Sequence, residues 1–223
     1  MAAKTEIAAD ELVRRILGGE RDFSGTRLVA VNLDEAKGYS EMIAYLQEQD
    51  LRANPLNFER ADWRGVRAVG LFWERTKMAG IDLSGADFRQ ASLRGADLQG
   101  ANLQQANLSE ATFVVAKLGG ASFRNALLRG ADMYECNATD AVLQRVDLTG
   151  AQLPRATFRN VEFTGATLTN VNFYKTDLRG AKGLATARDL ATCSYFKSIV
   201  TPAEHEIIWA AISAQPMFEL REE

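Results

Sequence analysis

The sequence predicts a solenoid, a rod of stacked coils built mainly from β-structure, and two regularities predict it. An alanine recurs at every fifth residue through the middle of the chain, as in Ala96-Asp97-Leu98. A large apolar residue follows two places after each alanine, and these large positions keep one register from Phe58 to Leu178. Because a period of five suits neither a helix nor a strand, the chain must turn once per unit to bring the same positions inward again.

Each position of the five-residue unit has a physical role. Alanine fits where the wall of the coil is crowded, and leucine or phenylalanine fills the interior. Asp, Asn, Ser or Thr between them can bond to neighbouring backbone groups. Glycine at the unit boundary, as at Gly95 and Gly100, supplies the backbone freedom that a turn needs.

These units resemble the pentapeptide-repeat family, whose pattern is A-(D/N)-L-X-X, over roughly residues 54–182. The resemblance implies a right-handed quadrilateral parallel β-helix, in which four units make one square coil and residues i and i+20 stack. Coils would then follow one another at ~4.8 Å. The undersized centres Ala68 and Ala138 have Phe88 and Phe158 as their partners one coil later, which supports this arrangement.

The ends of a solenoid expose unpaired backbone, so we expect α-helical caps. Residues 1–22 are predicted as an N-terminal capping helix that begins with Asp10 as N-cap and stops at Gly18-Gly19. The apolar face of this helix consists of Leu12, Val13, Ile16 and Leu17.

The repeat array is predicted over residues 23–182, with a helical insertion at residues 34–55 where the register is lost. The insertion either projects from the first coils or replaces part of one. Within it, a helix at Ser40 to Gln49 would turn Met42, Ile43 and Leu46 inward.

Residues 183–223 are predicted as a C-terminal helical segment. Its strongest helix signal is Thr201-Pro202-Ala203-Glu204, which combines an N-cap threonine, a first-turn proline and a capping-box glutamate. That helix should run to about Ala214.

The sequence suggests no catalytic, cofactor-binding or metal-binding residues, so we expect a protein that is not an enzyme and has no small-molecule substrate. His205 is the only histidine, and neither a Ser-His nor a Cys-His pair is suggested near it. Asp62 and Asp82 would stack one coil apart within reach of one cation. Both hold the polar slot of the repeat, however, which favours a structural role.

Composition favours a cytoplasmic location. No apolar run reaches the ~20 residues that a membrane span requires, and residues 1–11 show no signal pattern. Two cysteines do not make a disulfide framework. Cys136 occupies an alanine position, so it should be small and buried, and Cys193 lies in the C-terminal segment.

Charge argues against two kinds of function. Some pentapeptide-repeat proteins protect DNA gyrase and are thought to imitate duplex DNA through an acidic rod. Here residues 54–182 carry 13 acids and 16 bases, whereas DNA carries one negative charge per ~1.7 Å. The bases are also mixed with acids on all faces, so nucleic-acid binding is not expected.

One face of the predicted rod carries an apolar column. An outward slot reads Val114, Tyr134, Pro154 and Tyr174 in four successive coils, whereas other faces mostly carry Arg, Gln, Ser or Thr there. Such a column marks a contact surface, covered either by the C-terminal segment or by a partner. The candidate interaction surface consists of Phe72, Val114, Val115, Tyr134, Pro154 and Tyr174.

The sequence therefore predicts a non-enzymatic interaction or scaffold protein, a rigid rod that binds another protein or a second copy of itself. The alternative is a DNA gyrase-interacting protein that acts by DNA mimicry, which the non-acidic rod disfavours.

Overall fold

Parallel bridges between residues twenty apart organise the computed structural model, which describes residues 4–29, 32–195 and 197–213. The bridges run without a break from Asn57↔Lys77 to Glu162↔Lys182, and four of them complete one turn of a square β-helix. The predicted column Leu98, Leu118, Ala138 and Phe158 forms one internal ladder whose members are 0% exposed. The twenty-residue coil is thus observed.

We number the four sides of the square by their order along the chain. The first side bridges Asn57 to Lys77, the second Asp62 to Asp82, the third Arg67 to Asp87, and the fourth Phe72 to Ser92. The fourth side carries the apolar column. Its rungs are, in order, Phe72, Ser92, Thr112, Asp132, Gln152, Asn172 and Ser194.

Each side ends in a tight turn that closes on the next alanine. The N–H of Ala96 donates to the carbonyl of Leu93 at 3.0 Å, and the residue before it, Gly95, has φ +67°. This combination defines a type II turn, which favours glycine or asparagine at that corner. Polar slots support the turns as predicted, since Asp82 accepts the N–H of Ser84 at 3.0 Å.

Aromatic rings fill the first coils. Phe58 lies 4.8 Å from Trp63 and 4.4 Å from Trp73, measured between ring centroids. Phe23 stacks below Phe58 at 5.4 Å, and Phe88 meets Trp73 from above at 6.2 Å. Large rings here replace the leucines that fill most later coils.

The insertion replaces the fourth side of the first coil. Asp22 bridges Asn57 and Asn32 bridges Arg67, so 35 residues separate partners instead of 20, and 15 residues are extra. They include a 3₁₀ turn at Leu33–Glu35 and helix α2 at Tyr39–Gln47. Met42 and Leu46 are fully buried, as predicted, whereas Ile43 is half-buried.

The N-terminal segment forms a strand as well as a helix. Strand β1 (Glu6–Ile7) pairs in parallel with strand β2 (Arg27–Leu28), and helix α1 spans Ala9–Leu17. The predicted N-cap is wrong: Ala8 is the N-cap, and Asp10 lies inside the helix, where its carboxylate accepts the N–H of Lys37 at 2.9 Å.

The apolar face of α1 is also smaller than predicted. Leu12, Val13 and Ile16 are buried, but Leu17 is 37% exposed. Leu17 is the last helical residue, directly before the predicted stop at Gly18.

The β-helix continues beyond the predicted end at residue 182. Arg188, Ser194 and Ile199 bridge Thr167, Asn172 and Asp177, at spacings of 21, 22 and 22 residues. Two 3₁₀ turns, Leu184–Thr186 and Leu190–Thr192, take up the extra residues. Because these sides differ in length, the five-residue pattern is lost while the coil persists.

Helix α3 (Pro202–Ser213) lies over this last coil and contacts both 3₁₀ turns. The carboxylate of Glu204 accepts bonds from the backbone N–H and the hydroxyl of Thr201, which is a capping box, and from the N–H of Gly180 at 2.9 Å. The predicted end at Ala214 and the rest of the chain to residue 223 lie outside the described residues. Among the helices in the described ranges, none is long and apolar enough to span a bilayer.

A buried carboxylate ties the last coils together and makes stability depend on pH. Asp177 accepts hydrogen bonds from Arg179 at 2.7 Å and from Arg159 at 2.6 Å. Hydrogen bonding from Arg179 holds the pKa of Asp177 well below its usual value, although burial opposes this shift, and Arg159 adds to the effect.

We therefore expect Asp177 to stabilise the fold above the unfolded-state pKa of about 4 and to lose that contribution as the pH falls through the lower folded-state pKa. Asp177→Asn should flatten the acid limb when the free energy of unfolding is measured from pH 7 down to pH 2. Parallel acid limbs for the two proteins would contradict this role.

Candidate interaction surface

The predicted column lies on the fourth side, in successive coils, as the register requires. The carbonyls of Tyr134, Pro154 and Tyr174 accept N–H groups of Val115, Glu135 and Arg155 at 2.9, 3.1 and 2.8 Å. Side chains of neighbouring coils therefore stand about 4.8 Å apart and pack on one another. We call Val114, Val115, Tyr134, Pro154 and Tyr174 the apolar stripe.

Four stripe residues line one groove of about 510 Å³. Val114 is only 8% exposed, so it is part of the packed wall and not the free surface that the sequence predicts. Val115 is 38% exposed, and Tyr134 and Pro154 are half-buried. The remaining walls are polar: Arg94, Asp132, Glu135 and Gln152.

Charged side chains flank the stripe along one edge. Arg155 pairs with Glu135 at 3.4 Å, and its guanidinium lies 6.0 Å from the ring centroid of Tyr134. A hydrogen bond to Glu135 raises the pKa of Tyr134, and desolvation acts in the same direction. Lys175 places its Nζ 5.2 Å from the ring centroid of Tyr174. The edge therefore presents acid at one rung and base at the next two.

Val115 holds a backbone conformation that valine rarely adopts. Its φ is +53°, at a corner where neighbouring coils carry Gly95 and Glu135. A β-branched residue at positive φ is an outlier, and such backbone costs of order 1–3 kcal/mol. Val115 thus combines strain with exposure to water, and neither contributes to packing of the rod.

Phe72 lies apart from the stripe residues with which it was predicted to group. It lines a second groove, of about 290 Å³, together with Leu46, Leu51 and Arg52 of the insertion. The insertion occupies the fourth side directly below Phe72, which accounts for its partial burial. Arg94 lines both grooves and separates them.

The acidic slots of the other sides are engaged by arginine. Arg64 bonds Asp62 at 2.8 Å and lies 3.9 Å from Asp82, so a guanidinium stands between the two carboxylates considered for a cation. Arg89 pairs with Asp87 at 2.7 Å. Across the part of the chain that the structure describes, no cluster of three or more His, Cys, Asp or Glu has metal-binding geometry.

The residues with nucleophilic or basic potential lie apart. His205 is exposed and stacks on Trp209 at 6.3 Å. Cys136 is buried in an alanine position, and burial raises the pKa of its thiol. Burial also raises the pKa of Cys193 to about 11, and its Sγ donates to the carbonyl of Leu168 at 2.9 Å.

Sequence reasoning missed one surface. A groove of about 680 Å³ separates helices α1 and α2 and is lined by Ala8, Leu17 and Gly38 among charged neighbours. The signal was weak because it depends on how two helices outside the repeat dock, which no period reports. The exposed Leu17 was instead assigned to the core.

Two family models match the chain by sequence. A model described as "Pentapeptide repeats (8 copies)" matches residues 76–114, and a "Pentapeptide repeat region" model matches residues 116–183. A search of curated proteins found no match.

Solved structures with a similar course of the chain are pentapeptide-repeat proteins. HetL from the cyanobacterium Nostoc sp. strain PCC 7120, involved in heterocyst differentiation regulation, is 20% identical, with 85% of this chain and 93% of HetL covered and a TM-score of 0.42. QnrB1, a plasmid-mediated fluoroquinolone resistance protein, is 16% identical, with 88% and 83% covered and a TM-score of 0.45. A thylakoid-lumen protein of Arabidopsis thaliana is 34% identical, but only 47% of this chain and 66% of that chain are covered, with a TM-score of 0.17.

Proposed function

Since this chain is a member of the pentapeptide-repeat family through residues 76–114 and 116–183, we propose that it is a non-enzymatic interaction protein whose rod serves as a rigid scaffold. The binding surface is the apolar stripe on the fourth side. Helices α1 and α3 act as caps, and the coils wind right-handed as the family resemblance implies.

A single observation carries the proposal: Val115 is strained, apolar and exposed in the middle of the stripe. Glycine at this corner would relieve the backbone, and a polar residue would suit water, so neither packing nor solubility accounts for valine. Strain that the fold does not need is a sign of function. Tyr134 and Pro154 extend the same apolar surface on the next two coils, and tyrosine is enriched in the cores of protein interfaces.

Charge gives no support to DNA mimicry. The rod holds 16 bases against 13 acids over residues 54–182. Several of the acids are already neutralised by arginine, as in the Arg89–Asp87 and Arg129–Asp147 pairs at 2.7 Å each. A run of paired carboxylates does not present the continuous negative potential of a duplex.

We place the protein in a reducing compartment, the cytoplasm, with no cofactor, nucleic acid, small-molecule substrate or membrane as partner. Cys136 and Cys193 are both free thiols with raised pKa values, which suits a protein that keeps its cysteines reduced. The arginine-neutralised slots and the isolated His205 support a role without catalysis.

We expect Tyr134→Asp to abolish binding while the rod stays folded, because the new carboxylate would enter a groove that already holds Asp132 and Glu135. Proteins retained by immobilised wild type, its own untagged copy included, would be identified by mass spectrometry and compared with those retained by the variant. Gln144→Asp is the matched control, because it fills the equivalent slot on the second side.

A second variant separates binding from folding. Val115→Gly removes exposed apolar surface but relieves a strained backbone, so it should bind less while its free energy of unfolding stays equal or rises by about 1 kcal/mol. If wild type, Tyr134→Asp and Val115→Gly retained the same proteins in equal amounts, the stripe would have no binding role.

A further inference from the structure

We infer that the apolar stripe is self-complementary and pairs with the stripe of a second copy of this chain, with the two rods side by side and antiparallel. This inference rests on the proposed function and names the partner. The two-fold axis would lie across the fourth side, midway between the rungs of Tyr134 and Pro154.

The order of residues along the stripe fits this symmetry. A two-fold axis perpendicular to the rod keeps each column opposite itself and reverses the order of the rungs. Tyr134 of each copy would then face Pro154 of the other, and Val114 would face Tyr174. Each aromatic ring therefore meets an apolar side chain, on both sides of the axis.

The charges beside the stripe fit the same symmetry. Glu135 and Arg155 occupy one column, on the two rungs that flank the axis. Each Glu135 would face Arg155 of the partner in addition to the Arg155 of its own chain at 3.4 Å. Two acids and two bases would alternate around the axis. In the neighbouring column, Asp132 would face Gln152, an amide donor.

A parallel arrangement of the two rods is disfavoured by the same residues. An axis along the rod would keep the rungs level and exchange the columns. Asp132 would then face Glu135 twice, and Thr112 would face Val115. Like charges opposed in an interface cost affinity, so the charges select the antiparallel pair.

The insertion leaves this side accessible. It occupies the level below Phe72, and the axis between the Asp132 and Gln152 rungs pairs the Phe72 level with one beyond Ser194, the last bridged rung. The insertion of each copy would therefore stand past the end of the partner's fourth side.

The stripe is small for a dimer. Fully buried tyrosines remove ~150–250 Å² each, and these two are already half-buried. With Pro154, Val115 and the charged edge, each copy would bury roughly 500 Å², below the ~800 Å² per partner of a standard stable interface. We therefore expect a concentration-dependent dimer with a dissociation constant on the order of 10–100 μM.

Charge reversal tests the arrangement directly. Glu135→Arg would surround the axis with four bases, and Arg155→Glu would surround it with four acids. Each variant alone should sediment as a monomer at concentrations where wild type is mostly dimeric, with its association weakened at least tenfold. An equimolar mixture of the two variants should form a heterodimer, because every Arg would again face a Glu. Sedimentation velocity from about 1 to 200 μM, with one variant fluorescently labelled, would measure this.

The double variant Glu135→Arg/Arg155→Glu should dimerise like wild type, because exchanging the two charges preserves the pairing. Arg145→Glu, which changes the same corner slot on the second side, is the control and should leave the dimer intact. All variants should keep the wild-type melting temperature at low concentration, because the Glu135–Arg155 pair is exposed.

Three outcomes would overturn the inference: a wild type that stays monomeric to 200 μM, a dimer that neither reversal weakens, or reversed variants that fail to associate when mixed. The proposed function fails separately. If Tyr134→Asp loses a different bound protein while wild type remains monomeric, the stripe binds a partner and only the self-association is wrong.

Discussion

Replacing Leu103 by alanine is expected to lower the free energy of unfolding by about 2–5 kcal/mol. Leu103 is 0% exposed and lies in mid-array, between coils that bridge it on both sides. The truncation removes buried methyl groups and leaves a cavity that a stacked coil cannot close, because its rungs are fixed by hydrogen bonds such as Leu103 N–H to Ser122 O at 2.7 Å. Urea unfolding followed by tryptophan fluorescence would measure the change, since Trp63 and Trp73 are buried in the rod.

Arg89→Ala is the control for this measurement. Arg89 is exposed and pairs only with Asp87 two residues away, at 2.7 Å. Loss of an exposed ion pair costs about 0.2–1 kcal/mol. Equal shifts of the unfolding midpoint for Leu103→Ala and Arg89→Ala would contradict the assignment of inward and outward positions.

Gly183→Ala is expected to cost about 2–4 kcal/mol, from backbone strain and overpacking together. Gly183 has φ +74°, and a Cβ there would lie 2.4 Å from the backbone nitrogen of Thr164 and 2.4 Å from its Oγ1. The nitrogen belongs to the neighbouring coil and cannot move aside, so the last coil would have to shift. Differential scanning calorimetry would measure the loss as a lower melting temperature.

Gly150→Ala isolates the steric contribution. Gly150 has nearly the same φ, +71°, but a Cβ there meets nothing within 4 Å. Its substitution should cost only the backbone strain, about 1 kcal/mol. If the two alanine variants melt at the same temperature, the close approach of the last coil to Thr164 is wrong.

The sequence predicted the repeat array well because every fifth residue meets the same environment. Leu98, Leu118, Ala138 and Phe158 could be placed in one buried column from spacing alone, and Cys136 could be placed in the wall because it stands in an alanine slot. The period also located the stripe, since outward positions repeat as strictly as inward ones.

The period could not predict contacts that depend on side-chain packing or on uneven sides. Val114 was expected to face water, yet packing between coils leaves it 8% exposed. The coil after residue 182 escaped notice because its sides are spaced by 21 and 22 residues. Asp10 was chosen as N-cap by residue type, but the tertiary bond to Lys37 N–H holds it one turn position later.

The uneven filling of the rod has a consequence for the order in which it forms. In a stack where each coil contacts only its neighbours, assembly can begin anywhere and spreads from coil to coil. The cluster of Phe58, Trp63 and Trp73 lies in the first coils and leaves the ribosome before the rest of the array. The growing chain thus carries a finished template onto which each later coil is laid, one rung at a time. Unwinding runs in the opposite direction, from the coil of unequal sides beneath α3.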